Sequence, residues 1–164
     1  MELIHIAQMK EGNWSAVSHI YRQGIETGLA TFEQEVPTWD YWDQQHIDSC
    51  RFVAKEGKRI VGWAALSAVS SRCVYGGVAE VSVYVAAEAR GNRIGERLLS
   101  QLILESEKQG YWTLQSGIFP ENVASIRMHE KLGFRKIGFR ERIGQLNGIW
   151  KDNILMEKRS KKIG

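Results

Sequence analysis

The sequence is poor in the residues that mark several classes of protein. It has only two cysteines and two prolines among its 164 residues. Cys50 and Cys73 are far apart and form no CxxC pair, so neither a disulfide framework nor a cysteine metal site is indicated, and we expect both to be small buried residues. The low proline content and the 43% of hydrophobic residues exclude a disordered or collagen-like chain. We therefore expect a packed fold.

Long apolar runs and a strong excess of one charge are also missing. No uninterrupted apolar run approaches the ~20 residues of a membrane span, and the N-terminal "MELIHIAQMK" lacks the pattern of a signal peptide. Twenty-two Lys and Arg against nineteen Asp and Glu leave a charge of +3, much of it in residues 158–162. This weak excess does not indicate nucleic-acid binding. We expect a cytoplasmic protein with no nucleic-acid, membrane or metal partner.

The order of apolar patterns predicts alternating strands and helices. Strands are expected at 2–7, 50–57, 59–69, 78–87, 111–119, 134–146 and 149–158, and helices at 14–27, 39–47, 92–108 and 121–133. Gly57-Lys58 and Asn147-Gly148 are predicted hairpin turns. The pattern predicts one α+β (mixed α/β) domain over residues 1–164, with a basic, mobile tail at about 159–164.

The stretch "EARGNRIGERLL" (residues 88–99) carries a strand through a glycine-containing turn into a helix. Such a turn leaves several amides unpaired, and the helix dipole favours negative charge there. With Arg90 and Arg93 beside it, the turn from Gly91 to Gly95 suits a phosphate or pyrophosphate. Solubility and turn geometry alone are the alternative explanation. The residues match neither a P-loop nor GxGxxG.

Two further positions carry candidate chemistry. Glu80 lies in an otherwise apolar strand, on the face of Ser82 and Tyr84, where a carboxylate is costly without a partner or a task. The alternative is an ordinary strand residue paired with Arg or Lys. His129 shares the inward face of its helix with Asn122 and Ser125. A lone histidine there is usually a satisfied core residue, and Asn and Ser equally suit helix capping.

Four segments together with this turn resemble a known family: "ATFE", "AEVSVYV", "ENVASIRMHEKLGF" and "GIWKDNILM". They resemble the GNAT superfamily of acetyl-CoA-dependent N-acetyltransferases, in particular its phosphinothricin and methionine sulfoximine branch. The resemblance implies a GNAT fold, with a central, mostly antiparallel twisted sheet flanked by helices on both faces. Arg90 and Gly95 match the ends of the family pattern (Arg/Gln)-x-x-Gly-x-(Gly/Ala), but Arg93 replaces its usual middle glycine. Its side chain must therefore turn outward.

By this resemblance, acetyl-CoA is the co-substrate and Glu80 accepts the proton of the amine. His129 occupies a place where many members have a tyrosine that protonates the departing thiolate, so it is a candidate general acid or base. The implied acetyl-CoA contacts come from the fourth strand, the turn and the following short helix: Val83, Tyr84, Val85, Arg90, Gly91, Asn92, Arg93, Ile94, Gly95, Glu96, Asn122 and Ser125.

The resemblance also implies an acceptor pocket and a homodimer. Arg72 and Tyr75 match positions that hold the acidic end of an amino acid, and Phe32 and Tyr84 would complete the pocket, although aromatics there are more often core residues. The segment that contains Trp150 and the Asn147-Gly148 hairpin resembles the one through which this branch forms homodimers. Alternatively, Trp150 covers the core of its own chain. We expect acetylation of the α-amine of a small, acidic, amino-acid-like compound. The alternatives are a peptide N-terminus, a polyamine, or a non-catalytic CoA-binding module, which Arg93 favours.

Overall fold

The computed structural model describes residues 3–164, and its centre is one mixed sheet. The seven strands lie in the order β1-β2-β3-β4-β5-β7-β6. The strands are β1 (Ile4–Gln8), β2 (Arg51–Glu56), β3 (Arg59–Ala68), β4 (Val78–Val85), β5 (Thr113–Ile118), β6 (Arg135–Leu146) and β7 (Ile149–Arg159). The helices are α1 (Trp14–Glu26), α2 (Trp39–Gln45), α3 (Ile94–Lys108) and α4 (Val123–Lys131).

Every neighbouring pair of strands is antiparallel except β4 and β5, which are parallel. The α+β class and the mostly antiparallel sheet are therefore confirmed. Each predicted helix and strand exists, with ends within two residues of the prediction. Glu2, the predicted first residue of β1, lies outside the described residues. None of the described helices is long and apolar enough to cross a bilayer.

Helices cover both faces of the sheet, and β4 shows how its alternating side chains meet them. A Cβ atom added to Gly24 of α1 would lie 2.5 Å from the Tyr84 ring. One added to Gly95 of α3 would lie 3.5 Å from Val85 and 3.7 Å from Val83. Because side chains alternate along a strand, Glu80 and Ser82 share the α1 face with Tyr84.

The core joins the centre of the sheet to α3. Leu66 of β3 and Leu98, Leu99 and Leu102 of α3 are each less than 2% exposed. Full burial of such a side chain is worth about 1.5–3 kcal/mol. The spacing of the three helical leucines places them on one side of α3, and their burial fixes α3 against the sheet.

A buried arginine fixes α2 against the end of β2. Arg51 is 4% exposed, yet its guanidinium meets the carboxylates of Asp43 and Asp48 and the carbonyls of Asp43, His46 and Ile47. It also lies 5.0 Å from the centre of the Trp42 ring. A buried charge requires such partners. The cluster holds the aromatic residues of α2 in place.

One prediction about burial differs from the structure. Cys50 is buried, but Cys73 is exposed because it lies in a short surface turn and not in the core. The basic tail, whose mobility stays a prediction, makes contacts with α3. Ser160 is buried, its Oγ donates a 2.5 Å hydrogen bond to Glu107 Oε2, and Lys162 Nζ lies 3.8 Å from Glu107 Oε1. The acidic end of α3 supplies these partners, which the tail's own charge does not reveal.

The close contact at Gly24 gives a stability prediction. Alanine in place of a mid-helix glycine normally adds about 1 kcal/mol of helix stability. Here the new methyl group would overlap the half-buried Tyr84 ring, and overpacking typically costs about 1–3 kcal/mol. We expect Gly24→Ala to lower the free energy of unfolding, as measured by urea denaturation. Gly12→Ala is the control, since nothing lies within 4 Å of its added Cβ. Equal effects of the two substitutions would contradict the clash.

Candidate active site

The cleft of the protein forms where β4 and β5 separate. Their ladder has only three residue pairs, from Val78 with Thr113 to Glu80 with Gln115. Both strands continue beyond it, β4 to Val85 and β5 to Ile118. A first cavity of about 500 Å³ opens between these free stretches. Its walls come from β4, β5, α4 and the β6–β7 hairpin, and include Glu80, Ser82, Tyr84, Ser116, Phe119, Asn122, Ser125, His129, Arg140 and Asn153.

The loop after α1 covers this first cavity. The Phe32 ring lies edge-on to Phe119, with centres 4.8 Å apart. A Cβ added to Gly144 of β6 would lie 3.0 Å from the Phe32 ring, and Asn122 Nδ2 donates a 3.3 Å hydrogen bond to the Leu29 carbonyl. The loop therefore bridges from α1 to α4 and β6, and Phe32 is one of the residues that line the cavity.

A second cavity of about 370 Å³ lies beside the first, under α2. The two cavities share five lining residues: Thr31, Glu33, Glu80, Ser82 and Tyr84. The second is otherwise lined mainly by aromatic and polar groups, among them Tyr21, Tyr41, Trp42 and His46. Two ligands can thus approach the Glu80 carboxylate from different directions.

Glu80 is half-buried where the β4–β5 ladder ends. Gln115 Nε2 lies 3.4 Å from its Oε1 and donates a long hydrogen bond. Among residues 3–164, no Lys or Arg forms an ion pair with it. The alternative of a paired strand carboxylate is therefore not observed. The carboxylate is left open to a ligand on the cavity side.

His129 is 3% exposed and holds a fixed tautomer. Its Nδ1 lies 2.7 Å from the Ser125 carbonyl, which can only accept, so Nδ1 carries the proton. The buried Nε2 has no partner among the described residues. Burial lowers the pKa of His129, because it penalises the charged form. A neutral ring with a free Nε2 lone pair is suited to accepting a proton, whereas the acid role requires Nε2 to be protonated first.

The turn before α3 presents free amides. Gly91 has φ +84°, and Arg93 takes the left-handed conformation at φ +60°, with its side chain exposed as predicted. The amide of Arg97 donates the first helical bond, to the Arg93 carbonyl at 3.1 Å. The preceding amides of the first turn have no helical acceptor. Their geometry suits an anion.

Several side chains predicted to contact the cofactor already have partners. Asn92 Nδ2 donates to the Ala89 carbonyl at 3.1 Å, and Glu96 pairs with Lys131 at 3.1 Å. Asn122 Oδ1 accepts from the Ser125 amide, so Asn122 is the helix cap of the alternative explanation. Ile94 is buried. At Asn92, Ile94 and Glu96, the backbone is the part available to a ligand.

The predicted acceptor residues do not all meet at the cleft. Tyr84 lines both cavities and stacks on Trp63 at 4.8 Å. Burial raises the pKa of Tyr84, and burial together with Glu33 raises the pKa of Tyr21 to about 12, so both phenols stay neutral. Arg72 and Tyr75 instead lie exposed in a surface turn, with the guanidinium 5.5 Å from the Tyr75 ring centre. Neither lines either cavity.

The structure adds lining residues that the sequence analysis missed. Arg140 and Asn153 reach the first cavity from the terminal hairpin, and His46 reaches the second from the end of α2. Arg140 lies beside an irregularity in β6, where the register shifts between Arg140 and Gly144. Simple strand alternation does not reveal such a shift. The sequence does contain one sign of the second cavity, since the aromatic run "WDYW" (residues 39–42) lies close before His46.

Comparisons with known proteins agree with this architecture. Residues 14–134 match the model described as "Acetyltransferase (GNAT) family". The chain is 28% identical over 148 residues to the L-methionine sulfoximine/L-methionine sulfone acetyltransferase of Salmonella typhimurium, covering 87% of this chain and 86% of that protein.

Two solved structures show the same fold over nearly the whole chain, each with a TM-score of 0.88. One is a ribosomal-protein-alanine N-acetyltransferase from Brucella melitensis, 30% identical, with 95% of this chain and 99% of that chain covered. The other is a phosphinothricin acetyltransferase from Sinorhizobium meliloti in complex with acetyl-CoA, 26% identical, with 98% and 90% covered.

These matches establish the class of the protein, since the family model alone spans most of the chain. The chain belongs to the GNAT family of acetyltransferases. It is an acetyl-CoA-dependent N-acetyltransferase.

Burial of His129 predicts a pH dependence of stability. Its folded pKa is lowered below 6.5, so the unfolded chain binds the proton more readily, and stability is lost as pH falls below 6.5. One such group contributes a slope of at most about 1.4 kcal/mol per pH unit. We expect His129→Asn to reduce the loss of unfolding free energy between about pH 7.5 and about pH 5.5, measured in urea.

His19→Asn is the matched control, because His19 is exposed. Part of the dependence remains in every variant, since burial also lowers the pKa of His46. The same pH slope in His129→Asn as in the unaltered protein would contradict the prediction.

Proposed function

We propose that this enzyme acetylates the α-amine of a small, acidic, amino-acid-like compound of the phosphinothricin or methionine sulfoximine type. The observation that carries the proposal is the meeting of two cavities at Glu80, whose carboxylate has no charged partner among residues 3–164. A transfer between two substrates needs both reacting groups at one point. The donor arm would follow the β4 edge on the α4 side of the first cavity, and the acceptor amine would reach the same carboxylate from the side of the Phe32 loop.

Glu80 acts as the general base in this proposal. An α-amine has a pKa near ~8 and must lose a proton before it can attack. The Glu80 carboxylate accepts that proton, directly or through a water molecule. Gln115 steadies the carboxylate from β5, and Tyr84 walls the site on the α1 side. The half-buried position brings the base to the point where the cavities join.

The donor side is built from backbone groups and α4. Acetyl-CoA supplies a thioester, the activated form of the acetyl group. The free amides of the turn, from Gly91 to Gly95, would hold the pyrophosphate, with the charges of Arg90 and Arg93 nearby. The separated edge of β4 at Val83 and Val85 would pair with the amides of the pantetheine arm. Ser125 of α4 lines the first cavity on this side.

His129 faces the donor side and completes the proposed proton path. Its buried Nε2 has no partner among the described residues, and the Ser125 carbonyl fixes its tautomer through the Nδ1 hydrogen bond. After the neutral amine attacks, the nitrogen of the tetrahedral intermediate carries a second proton to lose; we assign His129 to accepting that proton and returning it to the departing thiolate. A neutral histidine with a lowered pKa is able to do both, since it releases the proton readily.

The acceptor class rests on relatives, one of which acts on methionine sulfoximine and sulfone and another on phosphinothricin by their names. A peptide N-terminus is the second candidate, favoured by the similarity to a ribosomal-protein-alanine N-acetyltransferase. A polyamine would meet Glu33 and Glu80 in the first cavity but would leave Arg140 without an anionic partner. A free amino acid carries both an amine and a carboxylate and is better matched to this lining.

The test is an assay of CoA release with a panel of amines, followed by replacement of Glu80. Phosphinothricin, methionine sulfoximine, methionine sulfone, common amino acids, polyamines and short peptides are compared at equal concentration. We expect preference for the tetrahedral amino acids, and Glu80→Gln should lose turnover by about 10²–10⁴-fold, the usual contribution of a general base. Calorimetric affinity for acetyl-CoA should stay within error.

Glu130→Gln is the control, since Glu130 lies on the exposed face of α4. Turnover of only peptides or polyamines would overturn the acceptor assignment. Full activity of Glu80→Gln would remove Glu80 from the chemistry.

We further propose that two copies associate through the β6–β7 hairpin. β6 is an edge strand, and its hairpin exposes Phe139 (60%), Ile149 (64%) and Trp150 (50%). Trp150 is therefore not closing its own core. Exposed apolar groups on an edge strand favour a self-complementary interface.

Light scattering after size exclusion should give a mass near 37 kDa, since one chain is 18.7 kDa and 2 × 18.7 = 37.4. Ile149→Glu with Trp150→Glu should shift it to 18.7 kDa, whereas Val74→Glu, at another exposed apolar site, should not. A monomeric unaltered protein would refute the dimer.

A further inference from the structure

We propose that Arg140 binds the carboxylate of the acceptor and sets the preference for free amino acids over neutral amines. This inference rests on the proposed acetylation of an amino-acid-like substrate. It replaces the sequence-based assignment of the anion to Arg72. Three features of the described residues support it: the charges in the cavities, the shape of β6, and the face of the sheet on which Arg140 lies.

The charges lining the two cavities leave one position for an anion. Glu33 and Glu80 line both cavities. Among the described residues, Arg140 is the single Lys or Arg side chain that lines either one. It forms no ion pair within residues 3–164. A zwitterion fits this arrangement, with its amine at Glu80 and its carboxylate at the guanidinium.

A bulge in β6 shapes the wall that carries Arg140. Arg140 pairs with Asn153, but the next pair is Gly144 with Lys151, so residues 141–143 all oppose Asp152. Arg142 takes φ +48°, and its amide donates a 2.8 Å hydrogen bond to Asp152 Oδ1. Bulges bend a strand and re-aim its side chains. The bend brings Arg140 and Ile143 into the lining of one cavity.

The face on which Arg140 lies separates it from the predicted pyrophosphate turn. Arg140 and Gly144 oppose Asn153 and Lys151, two residues apart, and so share a face of the sheet. Gly144 meets the Phe32 ring of the loop after α1. The turn leads into α3, which packs on the opposite face. Arg140 is thus on the acceptor side, and the turn supplies the donor's anion site.

Arg72 is the competing anion binder, and its position is less suited. Its guanidinium lies over the exposed Tyr75 ring, outside both cavities. Arg140 instead lies in the wall that also contains Phe32 and Phe119. A carboxylate there meets a guanidinium that can form a bidentate hydrogen-bonded pair.

The test compares L-methionine sulfone with its carboxamide, which keeps the amine and side chain but lacks the negative charge. We expect the unaltered enzyme to prefer the acid. Arg140→Leu should raise the KM of L-methionine sulfone by about 10-fold or more, the effect of losing a charge-assisted pair. The KM of the carboxamide and that of acetyl-CoA should stay within about 2-fold, since neither depends on this charge. Arg140→Lys should keep part of the preference.

The variants are chosen so that each result has one meaning. Arg140→Gln repeats the test should the leucine variant fold poorly, as judged by circular dichroism. Arg127→Leu, at an exposed position of α4, controls for loss of one surface charge. Loss of the acid preference in Arg72→Leu, but not in Arg140→Leu, overturns the proposal. An unaltered enzyme that turns over no free amino acid overturns both this inference and the proposed function. Unchanged acid preference in Arg140→Leu overturns this inference alone.

Discussion

The early separation of β4 from β5 is the constraint on which the rest of the site depends. Backbone donors and acceptors inside a sheet must be paired, yet this parallel ladder ends after three residue pairs. The separated edges are therefore open to another partner, such as an extended amide-containing chain. The same separation leaves Glu80 at the end of the ladder, where two cavities can reach it. The proposed cofactor binding and the proposed base catalysis would thus both depend on one break in pairing.

The elements around this break are fixed by packing that lies away from the cleft. The Arg51 cluster holds α2 through two carboxylates and three carbonyls, and the leucines of α3 bury its face against the sheet. By contrast, the loop over the first cavity is held by Phe32 and a single hydrogen bond from Asn122. The helices beside the cleft are thus firmly held, whereas the loop over it has few contacts. A loop with few contacts can open to admit a ligand.

Local patterns predicted the fold well because its elements are set by nearby residues. Apolar spacing located α3, and Asn147-Gly148, with φ values of +51° and +78°, adopts the hairpin turn expected from its sequence. Glu80 and His129 were singled out as candidates because a carboxylate in an apolar strand and a histidine on an inward helix face are unusual. Arg140 was missed as a lining residue because a register shift depends on pairing with a distant strand. The contact of Ser160 with Glu107 was not foreseen because the two residues lie far apart in the sequence.

Arg93 illustrates how a departure from a family pattern need not remove a function. A left-handed residue other than glycine costs roughly 1–2 kcal/mol, and Arg93 adopts that conformation at φ +60°. The turn therefore keeps the backbone shape that a glycine would give, and its amides stay free of helical partners. The exposed guanidinium also places a positive charge beside the proposed anion site, where it would attract a pyrophosphate. Because the backbone shape is kept and a positive charge is added, the substitution is compatible with the proposed donor site and does not by itself favour a non-catalytic module.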